Sequence, residues 1–180
     1  MPFTRRAQKQ IKQPLTLIQA KRKLMDFVAR RDHSEKELSQ KLARYCESDI
    51  VQQTITWARE QNWLSAPETL QQQFATQLGR RGKGIHNINQ KLKELGLESV
   101  KADFDNELEK ARRLTFSKWN ADDFRGLNVK DSQKLRAKII RFLTTRGYEG
   151  AVISSILKND FNTVTQTAIQ DEDLSYDDEY

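Results

Sequence analysis

Seven glycines and three prolines in 180 residues are too few for the many tight turns of a sandwich or barrel, so an all-β fold is excluded first. A single cysteine, Cys46, rules out an internal disulfide and a thiolate metal cluster. Its neighbours place it on the apolar stripe of a helix, where a buried, inert thiol is expected. No apolar run approaches the ~18 residues of a membrane span. The first residues lack the apolar core of a signal peptide. These absences together predict a cytoplasmic protein. Only 37% of the residues are hydrophobic, too few for one thick core. A thin stack of amphipathic helices, each burying one stripe, fits that composition better.

Acidic residues are missing from the first 25 positions, while Arg5, Arg6, Lys9, Lys12, Lys21, Arg22 and Lys23 precede the first acid, Asp26. The other end is the reverse. DEDLSYDDEY, residues 171–180, holds six acids and no base. Setting that end aside leaves nineteen acids against 31 bases, so residues 1–170 carry +12 where the whole chain carries +6. A basic body with a basic arm points to a polyanionic partner, or to a partner that itself holds nucleic acid. The acidic end offers too little apolar surface to offset the entropy of ordering, and disorder is expected there. Its charge suits it to cover the basic surface for part of the time.

Apolar residues recur at helical spacing along the body. The first stripe is Leu17, Leu24, Phe27 and Val28, in a helix expected to run to about Asp32–His33. Ser34 with Glu37, and Ser65 with Glu68, have the spacing of capping boxes. Pro67 suits a first helical turn. Leu38, Leu42, Tyr45 and Cys46 form the second stripe, and Val51, Ile55 and Ala58 the third, which stops near Asn62. Leu70, Phe74 and Leu78 follow, then Ile85, Ile88, Leu92 and Leu95. Gly82 is placed to end its helix in the left-handed conformation, and Gly96 and Gly147 are placed as helix stops. A sixth helix is expected from about Ser99, with Val100, Phe104, Leu108 and Ala111 inward. Leu135, Ile139, Phe142 and Leu143 mark a seventh, Ile153, Ile156 and Leu157 an eighth. A short ninth piece would carry Phe161, Val164 and Ala168.

An internal repeat organises these helices. FVARRDHSEKELSQKL from Phe27, QLGRRGKGIHNINQKL from Gln77 and FLTTRGYEGAVISSIL from Phe142 align without gaps. Val28, Leu78 and Leu143 correspond, as do Leu38, Ile88 and Ile153. A basic residue closes the first helix each time, as Arg31, Arg81 and Arg146. The fold class expected is therefore all-α, with three tandem three-helix repeats in an elongated, curved array. The boundaries read as a flexible basic arm over residues 1–14, repeats over 15–64, 65–120 and 121–169, and the acidic tail over 170–180.

The stretch ARRDHSEKELSQKL, the Trp57 helix ending in NWL, RRGKGIHNINQKLKELG, and LRAKIIRFLTTRGYEGAVISSIL together resemble the RecX family, from about Ala20 to Leu157. That resemblance implies a modular body of three-helix repeats. It implies a regulator that binds the groove of the RecA–single-stranded DNA filament and suppresses ATP hydrolysis, strand exchange and repressor cleavage. Some members of the family bind DNA themselves.

No motif points to chemistry by the chain itself. Gly79-Arg80-Arg81-Gly82-Lys83-Gly84 has the wrong spacing for a phosphate-binding loop, and Gly84 stands where the metal-binding hydroxyl belongs. Asp103 and Asp105 lack the turn glycine of a calcium loop. His33 and His86 have no second ligand nearby, so no metal and no cofactor are expected. Trp57, Trp63 and Trp119 suit packing better than base stacking. The candidate partner or nucleic-acid contacts are Arg5, Arg6, Lys21, Arg22, Lys23, Arg30, Arg31, Arg80, Arg81, Lys83, Lys91 and Arg146. The leading reading is a non-enzymatic monomer on the RecA filament, with weak direct contact to single-stranded DNA. The alternative is a DNA- or RNA-binding helical module that needs no recombinase.

Overall fold

The computed structural model describes residues 13–120, 123 and 127–161. Among them lie eight helices and no strand: α1 (Leu17–Val28), α2 (Glu35–Leu42), α3 (Ser48–Glu60), α4 (Pro67–Arg80), α5 (Ile85–Leu95), α6 (Phe104–Phe116), α7 (Val129–Arg146) and α8 (Gly150–Asn159). The all-α, repeated helix–turn–helix architecture is as the periodicity requires. Expectations for the basic arm up to residue 12, for Val164 and Ala168, and for the acidic tail fall outside the described residues.

The described chain divides into two compact units, residues 13–73 with 92–98 and residues 74–91 with 99–161. In the first, α1, α2 and α3 pack on one another. Ala20, Leu24, Leu38, Leu42, Cys46, Val51, Ile55 and Ala58 form their buried core, flanked by Trp57. A fully buried Leu contributes roughly 1.5–3 kcal/mol, and three of these residues are leucines with no exposed surface. Burial pushes the Cys46 thiol up, away from the reactive thiolate. Trp57 meets Trp63 edge-on, ring centroids 5.1 Å apart.

Several local expectations need correction. The first helix stops at Val28 rather than near Asp32–His33. Gly82 and Gly147 end the corresponding helices at φ +72° and +86°, but Asp32 occupies their place in the first repeat. A non-glycine residue resists that conformation, so α1 ends earlier and the turn lengthens. The capping boxes are incomplete. The Ser34 hydroxyl accepts from the Glu37 N–H at 3.2 Å, but the Glu37 carboxylate turns to Arg31 and Lys41. Ser65 sits two positions before the start of α4 and donates to Asp32 at 2.9 Å. The sixth helix begins at Phe104, because the Asp103 carboxylate accepts from the N–H groups of Asp105 and Asn106 at 3.1 and 3.5 Å. Phe104 is exposed rather than inward, and so is Tyr45. Val100 precedes the helix and is held by Asn89 through two 2.9 Å hydrogen bonds.

The Ser34 hydroxyl also donates to the Leu95 carbonyl at 2.6 Å, and Lys36 Nζ donates to the Lys93 carbonyl at 3.0 Å. These bonds satisfy orphan carbonyls at the end of α5. Beside them His33 is 4% exposed. Its Nδ1–H donates to the Arg31 carbonyl at 2.7 Å, since a carbonyl can only accept, and Lys41 Nζ lies 2.5 Å from Nε2. Burial is the main cause holding His33 below its ordinary value near 6.5, with Arg31 and Lys41 adding to it. Burial works against the Glu37 charge, but the Arg31 hydrogen bond and the surrounding positive charges outweigh it and lower that carboxyl.

Both depressed groups bind protons more readily when unfolded, so their contribution is present at neutral pH and lost on acidification. Stability should therefore fall as pH drops from about 7 toward 5, the range of an unfolded histidine. Urea unfolding across that range should show the slope, and His33→Asn should remove most of it. An unchanged slope in the variant would exclude His33 as its source.

Candidate functional site: a cationic cleft in the second unit

In the second unit α6 packs on α8 and α7 on α8. Ala111, Ile139, Leu143, Tyr148, Val152, Ile153, Ile156 and Phe161 make the core, with Trp119 and Phe142 against it. Those two rings meet edge-on, centroids 5.1 Å apart.

The glycine turn after α4 and the glycine turn after α7 lie back to back. The Gly84 N–H donates to the Arg146 carbonyl at 2.8 Å, and the His86 N–H to the Gly147 carbonyl at 3.0 Å. Asn87 Nδ2 donates to the Thr145 carbonyl at 3.0 Å. The end of one helix thus supplies acceptors to the start of another, and the opposed partial charges attract. The contact needs glycine on both sides. A Cβ on Gly84 would stand 2.5 Å from the Gly147 oxygen, and a Cβ on Gly147 would stand 2.5 Å from the Asn87 nitrogen.

The third donor at this helix start, the Ile85 N–H, goes to Glu107 Oε2 at 3.0 Å. Glu107 is 4% exposed and also pairs with Lys110. Burial, then the Glu107 charge, push the nearby Tyr148 phenol up to about 12, so it stays neutral. A helix N-terminus often holds an anion, but the start of α5 is filled from within.

Next to it opens a cleft of about 800 Å³. Its walls are the end of α4, the turn at Arg81–Gly82, the start of α5, residues 100–103 and one face of α6. Six cations line it: Arg80, Arg81, Lys101, Lys110, Arg113 and Arg146. Only two acids do, Asp103 and Glu107. Asp103 caps α6 through Oδ1 and Glu107 caps α5, and neither pairs with Arg80, Arg81 or Lys101. Lys110 is taken by Glu107 and Arg113 by Glu109 at 2.7 Å. The Arg146 guanidinium lies 4.7 Å from the Phe142 ring and reaches the Arg81 and Gly82 carbonyls at 3.4 and 3.5 Å. Arg80, Arg81 and Lys101 form no ion pair with any described residue. Charges of one sign in a concave wall raise the local concentration of anions.

The twelve candidates from the sequence separate accordingly. Arg80, Arg81 and Arg146 come together in the cleft. Lys83 is half-buried in the neighbouring turn, and Lys91 is exposed on α5. In the first unit Lys21 Nζ sits 4.7 Å from the Trp57 ring centroid and Lys23 Nζ 4.5 Å from that of Tyr45. Arg31 binds Glu37, while Arg22 and Arg30 are exposed. Arg5 and Arg6 lie outside the described residues. Lys101, Lys110 and Arg113 join Arg80, Arg81 and Arg146 in the cleft and belong to no sequence repeat. They stand twenty or more positions beyond Arg81, and only the fold brings α6 beside that turn. No described helix is long and apolar enough to cross a membrane. No group of three His, Cys, Asp or Glu among the described residues is placed to hold a metal.

Comparison with known proteins identifies the architecture. The family model for the RecX first three-helix domain matches residues 20–57. A Regulatory protein RecX from Ralstonia nicotianae is 32% identical over 152 residues, spanning 82% of this chain and 89% of that protein. The chain belongs to the RecX family. A second RecX relative, from Pseudomonas fluorescens, is 31% identical over 150 residues, covering 79% of this chain and 92% of its own length. The crystal structure of RecX from Lactobacillus salivarius superposes with a TM-score of 0.63 over 79% of this chain and 94% of that one. At 14% identity this shows a shared fold.

Proposed function

We propose that this chain restrains the RecA recombinase by lying in the groove of its filament on single-stranded DNA, and that the cleft between α4 and α6 is a principal contact. The observation that carries the reading is the set of three cations, Arg80, Arg81 and Lys101, turned to one cavity without an acidic partner among the described residues. Membership of a family whose relatives are named regulatory proteins supports it. The +12 body of residues 1–170 suits a polyanionic filament. The chain does no chemistry of its own. It works as a cytoplasmic monomer that occupies the groove, competes with incoming duplex and hampers the protomer movements linked to ATP turnover. Repeats over residues 15–64, 65–120 and 121–169 would each contribute contacts, so that several weak ones act together through effective concentration.

ATP turnover by purified RecA on single-stranded DNA tests the proposal. Turnover and strand exchange should both fall as this chain is added, as should repressor cleavage. Unchanged rates at saturation would reject it. The same three unpaired cations favour one other reading, direct binding to bare DNA or RNA. That reading requires tight binding without recombinase at physiological salt, and no preference for filaments.

A further inference from the structure

The cleft has a candidate occupant in its own chain. We propose that residues 171–180 dock there, as an internal polyanion in competition with any external one. Three observations carry this. The first is where the described chain ends. Asp160 accepts from Arg112 Nε at 2.8 Å, and the Phe161 ring packs on Phe116 with centroids 5.6 Å apart. Both partners are on α6, the helix whose Lys110, Arg113 and Leu114 line the cleft. The chain thus leaves from a point a fraction of a turn around the same helix, which is about 10–12 Å across.

The second observation is length. Asp171 is ten residues beyond Phe161, and ten residues span up to about 35 Å when extended. That is ample to round α6. The third is charge. The segment carries six acids, Asp171, Glu172, Asp173, Asp177, Asp178 and Glu179, and the cavity holds Arg80, Arg81 and Lys101, which form no ion pair with a described residue. A tethered segment competes at the millimolar effective concentration of a short linker, so even weak pairing suffices. Occupancy itself requires nothing of the recombinase; its consequence for the filament rests on the function proposed above.

Neutralising the six acids in the full chain (Asp→Asn and Glu→Gln at all six positions) provides the test, read by amide NMR. The amides of Arg80, Arg81, Lys101 and Arg113 should shift on neutralisation. Raising the parent chain to about 1 M salt, where charges are screened within about 3 Å, should reproduce those shifts. Absent shifts, or shifts concentrated around Lys21 and Lys23, would overturn the proposal. A second arm uses a fluorescent oligothymidylate at low salt. Neutralisation should tighten binding about fivefold, and the gain should vanish in Arg80→Gln/Arg81→Gln/Lys101→Gln. A gain that survives in that triple variant also overturns it. An oligonucleotide that binds neither form would count against direct nucleic-acid binding, while the amide shifts alone decide the tail.

Discussion

Replacing Gly147 with Ala should destabilise the second unit by about 3 kcal/mol, from two penalties at one atom. The backbone there has φ +86°, where an L-residue costs about 1–2 kcal/mol. The new Cβ would also meet the Asn87 nitrogen at 2.5 Å and its side-chain oxygen at 2.7 Å, an overpacking of the kind that costs about 1–3 kcal/mol. Two comparison variants separate these causes. Gly82 has nearly the same backbone, φ +72°, but a Cβ there would press only on movable side-chain ends of Arg146 and Leu114 at 3.1–3.3 Å. Gly82→Ala should therefore cost only about 1–2 kcal/mol. Gly150 has nothing within 4 Å of its added Cβ. Being helical, it should gain about 0.4–1 kcal/mol as Ala. Urea midpoints read the order Gly150→Ala, parent, Gly82→Ala, Gly147→Ala from most to least stable. Equal losses at Gly82 and Gly147 would show that the back-to-back turn contact contributes nothing.

The largest functional loss should follow reversal of the three unpaired cations. Arg80→Glu/Arg81→Glu/Lys101→Glu should raise the concentration needed to inhibit RecA turnover at least tenfold, equivalent to about 1.4 kcal/mol. It should also flatten the salt dependence of any single-strand binding by about 2 in log–log slope, three contacts at about 0.7 each. Because none of the three forms an ion pair with a described residue, the urea midpoint should stay within about 0.5 kcal/mol of the parent. Inhibition that persists undiminished would remove the cleft from the interface and leave the first unit or the basic arm to carry it.

The repeat and most helix cores were legible because they rest on local rules. Leu24, Leu38, Leu42, Ile88, Leu92, Ile139 and Ile156 are all buried as their 3.6-residue spacing demands. Gly82, Gly96 and Gly147 all take positive φ. Legibility failed where a long-range partner outbid a neighbour. Glu37 abandons the start of its own helix for Arg31. Ser65 bonds to Asp32 instead of capping α4. Glu107, an ordinary helix residue by sequence, caps a different helix. Half of the cleft was readable for the same reason. Arg80, Arg81 and Arg146 belong to the repeated helix ends, whereas Lys101, Lys110 and Arg113 follow no repeat and reach the cleft only through packing. Among the basic residues of the first unit, Lys21 and Lys23 lie over aromatic rings, a use of cations that spacing does not reveal.

The placement of the indoles gives each unit its own optical reporter. Trp57 and Trp63 meet edge-on in the first unit, and Trp119 packs against Phe142 in the second. Emission from a Trp119→Phe chain would follow melting of the first unit by itself. Emission from a chain keeping only Trp119 would follow the second, so that independent or concerted melting becomes a matter of comparing two fluorescence curves.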